Sequence, residues 1–170
     1  ALGINGEDFG PLKSTIFNDS NNVILVEGLI DKEYLELLKD PAHGSNALKK
    51  NIEIDAFITS PAARAFATCK YFAKAFSVKE NNIIRIPQLY LAPAEIFYAV
   101  ISNADDACNT IALFAHNPGI TEFANSLTNT RVDDMPTCAI FAIKCDAEKW
   151  NDFTSSKKEF WFFDYPKLME

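Results

Sequence analysis

The sequence predicts an α/β fold: a three-layer α/β/α sandwich around a mostly parallel sheet. Three observations carry that reading. Short apolar runs alternate with amphipathic stretches four times along the 170 residues, and two further apolar runs close the order. An alternation of strand and helix gives a parallel sheet covered by helices on both faces. Second, Ile111 to Ala115 is an unbroken apolar run, too short for a buried helix and bounded tightly enough for a strand buried on both faces. Third, 48% of the residues are apolar, so one domain of ordinary size can bury its core without disulfides or a structural metal.

Taken in order, residues 1 to 22 are rich in Gly, Asn, Asp and Ser, lack periodicity, and read as a loop or irregular arm. Asn22 to Gly28 reads as a short buried strand ending in Glu27 and Gly28. Asp31 to Leu38 follows as an amphipathic helix, with Ile30, Tyr34, Leu37 and Leu38 on one face. Asp40-Pro41 ends that helix, and Ala42 to Asn46, which contains His43, is turn material. Residues 1 to 49 are therefore an atypical front segment of arm, strand and helix within a single domain.

From there the signals sharpen. Ile54 to Thr59 is a strand, Ser60-Pro61 breaks it, and Ala62 to Phe76 is a helix whose Phe66, Cys69, Phe72, Ala73 and Phe76 recur at spacings of three and four. Ile83 to Ile86 is a strand, and Pro93 fits the first turn of a helix over Ala94 to Ser102. The strand Ile111 to Ala115 ends in His116; Asn117-Pro118-Gly119 forces a turn, and Ile120 to Leu127 resumes at helical spacing. Thr137 to Cys145 and Glu159 to Phe163 are the last two strands, joined through Trp150.

Composition narrows the function. A net charge of −7 argues against a sequence-independent nucleic-acid binder, which needs a basic surface. Any anion must be held by a local pocket. Cys69, Cys108, Cys138 and Cys145 show neither a Cys-x-x-Cys pair nor zinc spacing, and are expected as buried thiols in a reducing cytoplasm. Neither a secretory signal nor a membrane span is visible. The expected location is cytoplasmic, with no membrane or nucleic-acid partner.

Two strand ends carry the candidate chemistry. His116 stands between the carboxyl end of a strand and a helix N-terminus, where α/β proteins bind ligands and unpaired backbone N–H groups favour anions. For a lone histidine, a hydrogen bond within the loop is the plainer account. A second strand-to-turn element, Ser60-Pro-Ala-Ala-Arg64 with Thr68 one helical turn on, tips the reading. Arg64 falls in the first turn of its helix and adds a planar fork suited to phosphate oxygens. The alternative, an arginine paired with a nearby carboxylate, fits less well because a cation there opposes the helix dipole.

Five blocks in order, Ser60-Pro-Ala-Ala-Arg-Ala-x-x-Thr68, Leu89-Tyr-Leu-Ala-Pro-Ala-Glu95, Leu113-Phe-Ala-His-Asn-Pro-Gly119, Asp134-Met-Pro-Thr-Cys138 and Phe162-Phe-Asp-Tyr-Pro166, resemble the SixA-type phosphohistidine phosphatases. These belong to the histidine phosphatase superfamily, which also contains phosphoglycerate mutase, and the resemblance covers roughly residues 50 to 168. It implies a phosphoglycerate mutase-like sandwich hydrolysing phosphate monoesters or phosphoramidates without a metal or other cofactor. The implied partner is a phosphorylated small molecule or a phosphohistidine protein. By the same resemblance Arg64 grips the phosphoryl group, Ser60 and Asn117 are further phosphate-binding positions, and His116 is the pocket's second histidine, stabilising the transferring charge.

The family's first strand ends in Arg-His-Gly or Arg-His-Ala, whose histidine is the nucleophile. Here Val23-Ile-Leu-Val-Glu-Gly28 puts Glu27 and Gly28 where that Arg and His stand. A carboxylate has the wrong sign beside a phosphate, and glycine cannot form a phosphoenzyme. Arginine at 27 with histidine at 28 is therefore the change expected to restore the motif. His43, in Ala42-His43-Gly44, has the trailing glycine but neither the arginine nor a strand before it. Residues 15 to 48 resemble instead the opening of a TOPRIM domain of OLD-type nucleases. There the glutamate of a Glu-Gly strand end serves metal-dependent phosphodiester chemistry with a later Asp-x-Asp. The chain contains no Asp-x-Asp; Asp105-Asp106 and Asp133-Asp134 are adjacent pairs, which on a strand point to opposite faces. The other account of Glu27 is a strand-end carboxylate accepting backbone hydrogen bonds. The chain thus reads as a fusion or as a phosphatase diverged at its front. Its candidate functions are a phosphatase keeping half its pocket, a non-catalytic phosphate or phosphoprotein binding module, and a fragment of a metal-dependent nuclease.

Overall fold

In the computed structural model the described residues are 21–28 and 52–165. The helix expected over Asp31 to Leu38, most of the expected arm, and His43 lie outside them. The elements in chain order are β1 (Asn21–Glu27), β2 (Ala56–Thr59), α1 (Ala63–Ala75), β3 (Ile84–Arg85), α2 (Ala94–Ser102), β4 (Thr110–Ala115), α3 (Gly119–Leu127), β5 (Ile140–Cys145) and β6 (Lys158–Asp164). The strands form one sheet in the order β3-β2-β4-β1-β5-β6. β1, β2, β3 and β4 run parallel, and β5 runs antiparallel to both its neighbours.

Both faces of the sheet are covered, which is why its strands read as continuous apolar runs. Val23, Leu25, Ile111, Leu113, Phe141 and Ile143 pack with Phe97 and Ile101 of α2 and Phe123 and Leu127 of α3. Ile24, Val26, Ala112, Phe114, Ile140 and Ala142 pack with Cys69, Phe72 and Ala73 of α1. Aromatic pairs bind the layers: Phe72 meets Phe114 edge-on at 5.3 Å, and Phe97 stacks on Phe123 at 5.0 Å. Burying each such ring contributes about 1.5–3 kcal/mol. Trp150 is fully buried on the α2–α3 side, where its indole Nε1–H donates to the Cys108 carbonyl at 2.8 Å.

Several boundaries differ from the sequence reading, each for a physical reason. β1 begins at Asn21, inside the stretch expected as an arm. Its polar start is satisfied because the Asn21 amide donates to the Ala147 carbonyl and the Asn22 amide to Thr110 Oγ1. β2 begins at Ala56, because the Asp55 carboxylate accepts from the Asn109 and Thr110 N–H groups instead of extending the strand. Pro93 is the cap of α2 rather than a residue of its first turn. β5 starts at Ile140, not Thr137: Cys138 has φ of 60° and the Ala139 N–H turns back to the Pro136 carbonyl.

None of the four cysteines is in a disulfide; Cys69, Cys138 and Cys145 are buried and Cys108 is half-buried. Burial pushes the Cys145 thiol up to about 11 and the Cys69 thiol higher still. Among the described residues no helix is long and apolar enough to cross a membrane.

Because β4 lies between β2 and β1, the carboxyl ends of all three parallel strands are adjacent. The turns that follow them meet at one edge.

Candidate anion site at the strand ends

The turn after β2 is tied to its neighbour: the Ser60 N–H donates to the Phe114 carbonyl at 2.9 Å. The Ser60 hydroxyl accepts from the Ala62 N–H at 3.2 Å, which places this buried serine in the turn. α1 then begins with no side-chain cap on its N-terminus and no acidic residue in its first turn. Its first N–H groups are left for an anion. Arg64 is exposed in that turn, and no carboxylate of the described residues pairs with its guanidinium.

The turn after β4 carries His116 and Asn117. His116 Nε2 lies 3.1 Å from the Gly28 carbonyl oxygen. A carbonyl only accepts, so Nε2 holds the proton, and in the neutral ring Nδ1 keeps the lone pair. Burial moves the His116 pKa below its ordinary 6.5; the bond to Gly28 works upward, and the Arg64 charge adds to the lowering. The imidazole is therefore neutral near pH 7 when the site is empty.

Asn117 is spent on the turn itself. Its side-chain amide donates to the Met135 carbonyl at 2.8 Å, its side-chain oxygen accepts from the Thr121 hydroxyl, and its backbone N–H donates to Glu27 Oε2 at 3.1 Å. Glu27, only 2% exposed, thus holds the His116–Asn117 turn against the end of β1.

Gly28 corrects an expectation. Its N–H donates to the Ala115 carbonyl at 2.7 Å. A Cβ added there would lie 2.6 Å from Ala65 Cα, 2.8 Å from Ala65 Cβ and 3.1 Å from the Ala115 oxygen. The first turn of α1 packs directly on this glycine, so a histidine at 28 requires α1 to shift, and the paired change to Arg and His is expected to disturb this packing before it supplies a nucleophile. The position at this strand end that lines the cavity is Glu27.

Glu27, Arg64, His116 and Asn117 line one open cavity of about 460 Å³. Ser60 does not line it, and His43 lies outside the described residues. Among the described residues, no three His, Cys, Asp or Glu side chains gather as a metal-ligating group. Two further wall residues, Tyr90 and Leu91, were given no role from sequence. They are 58% and 75% exposed between buried Leu89 and Ala92, and Leu91 has φ of 50°. The available signal was a pair of large apolar residues directly before Ala92-Pro93, between the expected strand Ile83 to Ile86 and the expected helix Ala94 to Ser102.

No family model matches the chain, and no curated protein matches it in sequence. Solved structures do match it in shape. The protein histidine phosphatase SixA complexed with tungstate aligns with a TM-score of 0.69 over 88% of this chain and 99% of that one, at 12% identity. A SixA-type protein from Agrobacterium tumefaciens gives 0.67 over 86% and 99%, at 16% identity. Phosphoglycerate mutase from Plasmodium falciparum gives 0.57 over 86% and 91%, at 15% identity. At these identities the likeness is one of fold, and that fold is the phosphoglycerate mutase-like α/β/α sandwich found in the SixA phosphatases.

Proposed function

We propose that the chain is a metal-independent phosphatase-like protein that holds the phosphoryl group of a phosphorylated small molecule or phosphohistidine protein between Arg64, the N-terminus of α1 and His116. The observation that carries this reading is a guanidinium that no carboxylate of the described residues pairs, at a helix N-terminus without a side-chain cap, lining the same cavity as a neutral histidine. The fork of Arg64 takes two phosphoryl oxygens and the α1 N–H groups assist. The neutral ring keeps its Nδ1 lone pair for a proton released in the reaction; the bound anion then offsets the burial and the Arg64 charge that disfavour the imidazolium, which stabilises the transferring charge. That the similarly folded SixA phosphatase forms a complex with tungstate, a phosphate-like oxyanion, supports an oxyanion as the ligand.

With no nucleophile at Gly28, water is the attacking group. Nδ1 of His116 is the imidazole nitrogen of the described residues that can receive its proton. Losing covalent catalysis costs orders of magnitude in rate, so turnover is slow. The same observation favours a second reading, a binding module for phosphate or phosphoprotein that uses Arg64 and His116 without turnover.

The test uses tungstate and a generic aryl phosphate in EDTA. Stabilisation by a ligand follows RT ln(1 + [L]/Kd), so tungstate raises the melting temperature of the parent. Arg64→Ala weakens binding about tenfold or more, through loss of a charge-assisted fork, without changing the fold. Equal shifts in parent and variant place the anion elsewhere. Tungstate binding with no detectable hydrolysis selects the binding module.

A further inference from the structure

We propose that Tyr90 and Leu91 form a platform for a flat aromatic group attached to the phosphoryl group, so that the preferred ligand of this pocket is a small aryl phosphate. The inference rests on the phosphoryl-binding reading of Arg64 and His116 and adds the chemistry of the other half of the ligand.

Large apolar side chains exposed among the described residues are Ile84, Tyr90 and Leu91, and two of these three wall the cavity that holds Arg64 and His116. A phenol ring and an isobutyl group left bare beside a cationic grip suit a ligand with one anionic end and one flat apolar end. The cavity volume, about 460 Å³, is within the range of small-molecule sites, which favours a small ester over a docked protein.

The platform is held in place. Leu89 and Ala92 anchor it at 1% and 7% exposure, and the Tyr90 N–H donates to the Pro87 carbonyl at 3.1 Å. Behind it, the Ala92 carbonyl sits so close to Gly119 that a Cβ there would lie 2.0 Å from the oxygen. Gly119 is the first residue of α3, immediately after the His116 turn. The platform is therefore braced against the element that positions His116. Leu91 is held at φ of 50°, a backbone conformation costly for a leucine and one that persists where surrounding structure enforces it, often at ligand sites.

Leaving-group chemistry agrees. Water attacks phosphorus, the P–O bond to the ring breaks with its electron pair staying on the phenolate oxygen, and the water proton passes to Nδ1 of His116. The Nε2–H of His116 is already donated to Gly28, so it does not protonate the leaving oxygen. A phenolate leaves with less help than an alkoxide, because a phenol is acidic near pH 10 and an aliphatic alcohol is far less so.

The test is a binding experiment that does not depend on turnover. Phenylphosphonate and methylphosphonate are titrated into the parent chain, into Arg64→Ala, and into a Tyr90→Ser, Leu91→Asn double variant; asparagine accepts a positive φ. The parent is expected to bind phenylphosphonate about tenfold more tightly than methylphosphonate. The double variant loses that preference and binds methylphosphonate as the parent does. Equal affinity for the two phosphonates in the parent, with both lost in Arg64→Ala, overturns the platform and leaves the phosphoryl site standing. A phenyl preference that survives the double variant also overturns it. Loss of Arg64 dependence for both ligands removes the phosphoryl-binding reading itself.

Discussion

Glu27 is the residue on which the site turns. It is a carboxylate 2% exposed in a cavity built around an arginine, and it accepts the Asn117 N–H that shapes the His116 turn. Its charge opposes any anion beside it, so Glu27→Gln is expected to tighten tungstate binding several-fold. The same change weakens a charged hydrogen bond and costs about 1–2 kcal/mol of stability; calorimetric titration and urea unfolding separate the two effects. His116 supplies a pH signature. Its folded pKa is lowered from 6.5, so below that value the unfolded chain takes the proton first. Stability is thus whole above 6.5 and declines as pH falls toward the folded pKa. His116→Gln removes this part of the decline, and saturating tungstate shrinks it; unfolding curves at several pH values read both. At this scale the shared position of Arg64, His116 and Glu27 on one cavity was legible because each stands at, or in the turn after, the end of an apolar strand and carries a charge or titratable group. Tyr90 and Leu91 were not, since exposed apolar residues have no periodicity to betray them.

Elements were legible where apolar runs were long and illegible at their ends. β4 and α1 follow the sequence reading within a residue or two, because burial on both sides of β4 and one apolar stripe on α1 leave few alternatives. The start of β5 depends on the turn at Cys138, and the packing of Gly28 depends on Ala65, far along the chain. Neither contact is local in sequence. Strand β1 and helix α1 approach so closely at Gly28 that the contact admits no side chain. Gly28→Ala is expected to cost about 2–3 kcal/mol by overpacking, read as a lower urea midpoint with unchanged slope. Gly28→His is expected to be worse and to gain no turnover. Hydrolysis of an aryl phosphate by folded Gly28→His would show that α1 can shift to admit a side chain.

Across the whole molecule, the strand of the front segment is structural. β1 pairs with β4 on one side and β5 on the other, and Val23, Leu25 and Val26 have no exposure. The parallel part of the sheet was legible from the strand-helix alternation. Which strand β1 would neighbour was not, because apolar runs of similar length are interchangeable until long-range pairing selects among them. A central strand couples both layers, so Leu25→Ala is expected to cost about 3–4 kcal/mol and to lower one cooperative transition. The fluorescence of Trp150 and Trp161 and the far-ultraviolet dichroism should move together; separate transitions would mark β1 as an independent unit.

The buried thiols turn the sheet into a recording device. Cys69 and Cys138 lie in the core on the α1 side, and Cys145 lies in the core on the α2–α3 side. An alkylating reagent reaches each one only when its own layer opens, so labelling rates under native conditions report two opening free energies from one sample. Half-buried Cys108 sets the fast reference. Matching rates for the three buried thiols would mean that the layers part together. A gap between Cys69 and Cys145 would show which side of the sheet gives way first, and whether an anion at the strand ends locks the α1 layer, where Arg64 begins the helix, more firmly than the other.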